Sequence, residues 1–155
     1  MFFPENQVCH LTLESRKKYV DVKHCISCSS GTDGLMMSLM SLGVSQHDVV
    51  FVPSFTFIST AEVVSLLGAT PVFVDVDRNT FNIDVIDLEN QVINMVNEGM
   101  QPKGIIAVNI FGLPANYNRL NQIAKKYDMF LIEDCAQSFG ASIDGKLSGS
   151  LADIS

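Results

Sequence analysis

From residue 24 onward, short apolar runs alternate with longer segments whose apolar residues recur at helical spacing, and few folds accept that order. "DVVFVP", "TPVFVDVD", "GIIAVNI" and "MFLIED" have the length and β-branched content of strands. Between them lie "STAEVVSLLG", "NIDVIDLENQVINMVNEG" and "PANYNRLNQIAKKYD", and ahead of the first lies "GLMMSLMSLG". A strand that reaches the next through a helix can pair with it in parallel, because the crossover returns the chain to the same end of the sheet. The expected fold is therefore α/β, a three-layer αβα arrangement with a mainly parallel sheet. No repeat or low-complexity linker divides the chain. It reads as one domain over 22–155, after a poorly defined lead over 1–21.

Local signals place the element ends. Leu35, Leu39 and Leu42 share helical spacing with Met36 and Met40, and Gly43 suits the position just past a helix end. Met36, Met37 and Met40 read as core filler, since Met adapts to irregular gaps. Pro53 should stop the first strand. Ser59 or Thr60 can cap the next helix, Val63, Val64 and Leu67 form its buried stripe, and Gly68 ends it. Asp84 is the expected start of a helix with Val85, Leu88, Val92 and Val96 on or near one face. Asp144-Gly145, between half-apolar runs, predicts a tight hairpin.

Composition narrows the function classes. A chain of 155 residues with 47% hydrophobic residues can fill one core. Its net charge of −7, with basic residues only in short groups such as Lys125-Lys126, is not a nucleic-acid footprint. No run is long and apolar enough to span a membrane, and "MFFPENQVCH" lacks the pattern of a secretory signal. A cytoplasmic location is expected, with Cys9, Cys25, Cys28 and Cys135 as free thiols. Cys25-Ile-Ser-Cys28 is a lone CxxC without a second pair, so we read it as a buried strand end rather than a metal site.

In open α/β sheets, ligands bind beyond the carboxyl ends of the strands, so each strand-to-helix junction is a candidate site. "SSGTDG" precedes the Met-rich helix; Gly31 and Gly34 permit tight turns, and Ser30, Thr32 and Asp33 can cap. The free N–H groups of such a helix start can hold an anion, though an ordinary cap accounts for the residues equally well. The spacing is neither G-x-G-x-x-G nor a Walker A loop. "PSFTFIST" offers Phe55 and Phe57, able to stack on a flat ring or simply to pack on the sheet. "FVDVD" and "LIEDCAQS" put Asp75, Asp77, Glu133 and Asp134 at strand ends, with Gln137 beyond. Strand position alone does not choose between Asp75 and Asp134.

Taken in order, "VKHCISCSSGTDGL", "VPSFTFISTAEVVSLLGATPVFVDVD", "FNID", "IEDCAQSFGASIDGK" and "SGSLADIS" resemble the DegT/DnrJ/EryC1/StrS family of sugar aminotransferases. Those are pyridoxal 5'-phosphate enzymes that aminate nucleotide-linked keto sugars for cell-surface polysaccharides. "AQSFGA" and "SLLGATPVFVD" are most similar to members acting on a UDP-linked 3-keto-N-acetylglucosaminuronate. The resemblance implies a fold-type I, aspartate aminotransferase-like large domain, a homodimer, and glutamate as amino donor. It implies that Gly31, Thr32 and Asp33 cradle the cofactor phosphate, with the N–H groups of Thr32 and Asp33 as principal donors. Phe57 would stack on the pyridine ring, Asp134 pair with its nitrogen, and Gln137 touch its hydroxyl. Asp75 falls in a stretch read as structural.

The same resemblance sets an expectation about completeness. The family's Schiff-base lysine and a phosphate-binding Ser follow the segment matching "GSLADIS" by a few residues, and the small domain follows later. None of the lysines within 1–155 stands at that place; Lys146 sits beside the hairpin turn. Residues 22–155 are thus expected to be part of the large domain, with little or no activity alone. The competing readings are half of a split enzyme, a non-catalytic remnant that binds a full-length relative, and a dehydratase-like relative with His for the lysine.

Overall fold

The computed structural model describes residues 5–155, with side chains from residue 13 onward. Four parallel strands, β1 (Asp48–Pro53), β2 (Thr70–Val74), β3 (Gln101–Val108) and β4 (Phe130–Asp134), form one sheet in the order β2-β1-β3-β4. The helices are α1 (Glu5–Val20), α2 (Gly31–Ser41), α3 (Ser59–Leu66), α4 (Val85–Asn97) and α5 (Tyr117–Lys126). A small antiparallel pair, β5 (Ser142–Ile143) and β6 (Lys146–Leu147), closes at Asp144 and Gly145, both at positive φ (51° and 76°). That is the backbone a two-residue hairpin turn of this hand requires.

Alternation along the strands builds two cores. Val49, Phe51, Ile105, Ala107 and Leu131 pack on one face with Leu88 and Val92 of α4 and Leu120 and Ile123 of α5. Val50, Val52, Ile106, Val108 and Ile132 pack on the other with Leu35 and Leu39 of α2 and Val63 and Val64 of α3. Central strands buried on both faces explain why they read as unbroken apolar runs. The three-layer αβα arrangement is therefore present. From β1 the chain steps outward to β2, then crosses back to β3 on the other side, so the sheet has its topological switch between β1 and β3. The segment Asp153–Ile154 lies along the outer edge of β4: the Glu133 N–H donates to the Ile154 carbonyl (2.9 Å) and the Asp153 N–H to that of Leu131 (3.0 Å).

Three local expectations fail. Met37 and Met40 are not core filler, being 45% and 60% exposed on the outer side of α2, and only Met36 packs against the core. Cys25 to Cys28 is not a strand end: no strand is assigned there, Cys28 is exposed and Cys25 half-buried. Among the described residues no strand pairs with this segment, and Ile26 is 84% exposed. Ser59 and Thr60 do not cap α3 either. The chain is already helical at Ile58, Ser59 and Thr60 are buried, and Thr60 Oγ1 lies 3.3 Å from Thr56 Oγ1. Asp84 does cap α4, accepting from the N–H groups of Ile86 (2.7 Å) and Asp87 (3.2 Å). The lead contains α1, whose Tyr19 meets Phe139 with ring centroids 5.4 Å apart.

Candidate functional site

The turn into α2 is built by its own side chains. Ser30 caps the helix, its Oγ accepting the Asp33 N–H at 3.1 Å. The Asp33 carboxylate accepts hydroxyl hydrogen bonds from Ser29 and Ser30, which hold its carboxyl below the usual range, Ser29 contributing most. Gly31 and Gly34 do not take positive φ. A Cβ added at Gly31 would meet nothing within 4 Å, whereas one at Gly34 would lie 3.4 Å from Cys28 Sγ. The N–H groups of Gly31 and Thr32, in the first turn, have no carbonyl within the helix to donate to.

Phe57 follows β1 and is 72% exposed, its ring free to meet another surface. Phe55 points elsewhere, into a cluster with Phe81 and Phe111, with centroids 5.5 and 6.1 Å from its own and 5.8 Å between the latter two. Loops from β1, β2 and β3 thus meet in one aromatic group. Phe81 and Phe111 sit at φ 59° and 55°, a left-handed backbone that costs about 1–2 kcal/mol per residue. Nothing in "TFNID" or "IFGLP" marks that conformation, so sequence reasoning missed the cluster.

Asp134 ends β4 opposite Val108 of β3 and is half-buried. Its Oδ1 accepts the Ala136 N–H at 3.1 Å, while Oδ2 accepts from no donor among the described residues. Gln137 is exposed three residues on, in a loop that touches the one after β3: a Cβ on Gly112 would come 3.3 Å from the Gln137 carbonyl. Asp75 and Asp77 serve their own turn. Asp75 Oδ1 accepts the Val76 N–H, and Asp77 Oδ1 accepts from Asn79 and Thr80. The structure therefore brings Asp134 and Gln137 together on one loop, sets Phe57 at the end of the central strand, and puts Gly31–Asp33 on the helix that packs against α3.

Sequence reasoning noted Glu133 only as a strand-end carboxylate. It is 1% exposed, and its oxygens accept from Asn109 Nδ2 (2.8 Å), Ser148 Oγ (2.8 Å), the Leu151 N–H (3.0 Å) and Ser155 Oγ (3.0 Å). The Tyr117 hydroxyl, pushed far up chiefly by burial and next by the Glu133 charge, stays protonated and donates to Asn109 Oδ1 at 2.8 Å. Cys135 is likewise pushed up to about 11 by burial first, so it is no ready thiolate.

Strand order and layers together define an α/β protein built on a four-stranded parallel sheet with helices on both faces. The chain belongs to the DegT/DnrJ/EryC1/StrS aminotransferase family, whose pattern matches residues 13–155. It is 46% identical over 136 residues to the UDP-2-acetamido-2-deoxy-3-oxo-D-glucuronate aminotransferase of Pseudomonas aeruginosa, covering 88% of this chain and 36% of that protein. A DegT DnrJ EryC1 StrS aminotransferase from Brucella abortus superposes with a TM-score of 0.89 at 46% identity, over 91% of this chain and 38% of that one. The PLP form of the putative sugar aminotransferase Spr1654 from Streptococcus pneumoniae superposes at 0.79 with 29% identity, over 90% of this chain and 38% of that one. The chain spans a little over a third of the length of these relatives.

Proposed function

We propose that this chain holds the cofactor in a pyridoxal 5'-phosphate-dependent aminotransferase of nucleotide-linked keto sugars. The observation that carries the reading is the family match over 13–155, together with an Asp134 oxygen left open at the carboxyl end of the sheet. Three features fit this cofactor. The space over Gly31 lets an anion close on the helix start, where N–H groups and the helix dipole favour negative charge. The exposed Phe57 ring offers a flat face. The open oxygen of Asp134 suits a protonated ring nitrogen.

In this reading the free main-chain N–H groups of Gly31 and Thr32 anchor the phosphate, the Asp33 N–H being taken up by the Ser30 cap at 3.1 Å. Phe57 sets the plane of the ring, Asp134 keeps a proton on its nitrogen, and Gln137 contacts its hydroxyl. Once bound, the cofactor supplies the electron sink that amino-group transfer needs. The substrate is a UDP-linked 3-keto sugar acid, by likeness to the Pseudomonas relative, and glutamate is the donor. The working form is a cytoplasmic homodimer feeding polysaccharide synthesis. The contacts named here hold the cofactor noncovalently.

Equilibrium dialysis of the chain against pyridoxal phosphate tests this. Binding is expected, and Asp134→Ala should weaken it roughly tenfold or more, the loss of one charge-assisted hydrogen bond. Borohydride reduction of the mixture should label no single lysine stoichiometrically. A wild-type chain that binds nothing at millimolar cofactor, or one uniquely labelled lysine, refutes the reading.

A further inference from the structure

Next to Asp134 in the chain, Glu133 turns inward to the most heavily hydrogen-bonded carboxylate of the described residues. Its donors come from two separate stretches of chain, the loop after β3 and the segment after β6. Asn109 follows β3, Ser148 follows the hairpin, and Leu151 and Ser155 lie in the segment along the β4 edge. Asn109, fully buried, is fixed in orientation because its Oδ1 accepts from the Ala115 N–H (3.0 Å) and the Tyr117 hydroxyl (2.8 Å). Its Nδ2 must therefore face Glu133 (2.8 Å) and the hydroxyls of Ser138 and Ser148, 3.1 Å from each. Those two hydroxyls lie 2.6 Å apart, and Ser148 passes its proton toward Glu133.

The network therefore grips the loop carrying Asp134 at both ends. Glu133 precedes Asp134 directly, and Ser138 follows it by four residues. Between them the Asn109 N–H donates to the Asp134 carbonyl at 3.0 Å. A buried carboxylate costs several kcal/mol in desolvation, and an apolar residue would fill the same volume at lower cost. What an apolar residue lacks is direction: hydrogen bonds fix angles as well as contact.

We propose that Glu133, acting with Asn109 and Ser148, is a positioning residue that aims the Asp134 carboxylate. The inference rests on the reading of Asp134 as partner of the cofactor's ring nitrogen. A change at Glu133 acts through the loop, not by touching the cofactor. Glu133→Gln places an amide N–H against Asn109 Nδ2 or the Leu151 N–H, both donors that cannot reverse without giving up other bonds. Ser148→Ala removes one donor and leaves the carboxylate three.

The test compares pyridoxal phosphate with an analogue whose ring nitrogen is replaced by carbon, both by equilibrium dialysis on the full chain. The ratio of the two affinities reports the pairing to Asp134, and general loosening of the fold cancels from it. Wild type should prefer pyridoxal phosphate about tenfold or more, and Asp134→Ala should bring the ratio close to one. Ser148→Ala should reduce the ratio at least about threefold, and Glu133→Gln more; if Glu133→Gln does not fold, Ser148→Ala decides. If Asp134→Ala collapses the ratio while folded Glu133→Gln and Ser148→Ala keep the wild-type value, the positioning role is overturned and the Asp134 reading stands. If wild type does not discriminate between the two ligands, the Asp134 reading falls, and this inference with it.

Discussion

Gly104 gives the sharpest test of how tightly the sheet is packed. It lies in β3 directly opposite Phe130 of β4, and the Phe130 ring covers its backbone. A Cβ added there would stand 2.0 Å from Cε2, 2.2 Å from Cζ and 2.3 Å from Cδ2 of that ring. Ordinary carbon contacts begin near 3.4 Å, so the overlap is about 1.4 Å at its worst. Tenths of an ångström of relaxation cannot absorb that; the ring has to leave its rotamer. Phe130 packs on the core formed by α2, α3 and the sheet, so Gly104→Ala forfeits those contacts and strains β4. The expected cost is about 1–3 kcal/mol, which overpacked cores typically show. For a domain of this length each kcal/mol lowers Tm by about 2–4 °C. Urea unfolding of Gly104→Ala, Phe130→Ala and the double variant measures it. In the double variant the clash is gone, so the two changes should be non-additive by about 1 kcal/mol or more. A Gly104→Ala protein within 0.5 kcal/mol of wild type, or strictly additive changes, would refute the packing argument.

Other expectations follow from single contacts. Phe57→Ala should leave the urea midpoint nearly unchanged, because the ring is exposed, yet weaken pyridoxal phosphate binding by roughly two- to tenfold in dialysis. Asp84→Ala removes the cap of α4 and should cost about 1 kcal/mol in urea unfolding, with Asp84→Ser recovering most of it. The Asp77 carboxyl is held below its usual range by the N–H of Asn79, then the N–H and hydroxyl of Thr80. Its depressed value favours the folded state above the ordinary carboxylate range, near pH 4, and that advantage is lost as pH falls through the lowered value. Asp77→Asn should therefore be less stable than wild type at pH 7, and the gap should narrow in acid; a gap independent of pH would count against it.

Much of this fold was legible from residues near one another in the chain. Pro53, Asp84 and Asp144-Gly145 act over a few positions, and the structure puts a strand end, a helix start and a hairpin turn at them. Period also sorted most of the faces: Leu35 and Leu39, Val63 and Val64, and Leu88 and Val92 are core, while Met40 and Val96 from the same stripes are exposed. The reading of Cys25 to Cys28 failed because a strand end needs a neighbouring strand, which a local pattern does not supply. Ser59 and Thr60 misled for a related reason. A hydroxyl can cap a helix or be buried within its first turn, and the packing of α3 on the sheet decided for burial.

By itself, then, the sequence determined the alternation of strands and helices, the layers it builds and the family, because periodicity, turn residues and motifs are written in short stretches. Only the tertiary structure decided that Glu133 rather than Asp134 turns inward. Both are acids at the same strand end, and what separates them is a set of donors contributed by residues 15 to 24 positions away. A carboxylate can be buried only where hydrogen-bond donors converge on it, and that convergence exists only once the loops have met.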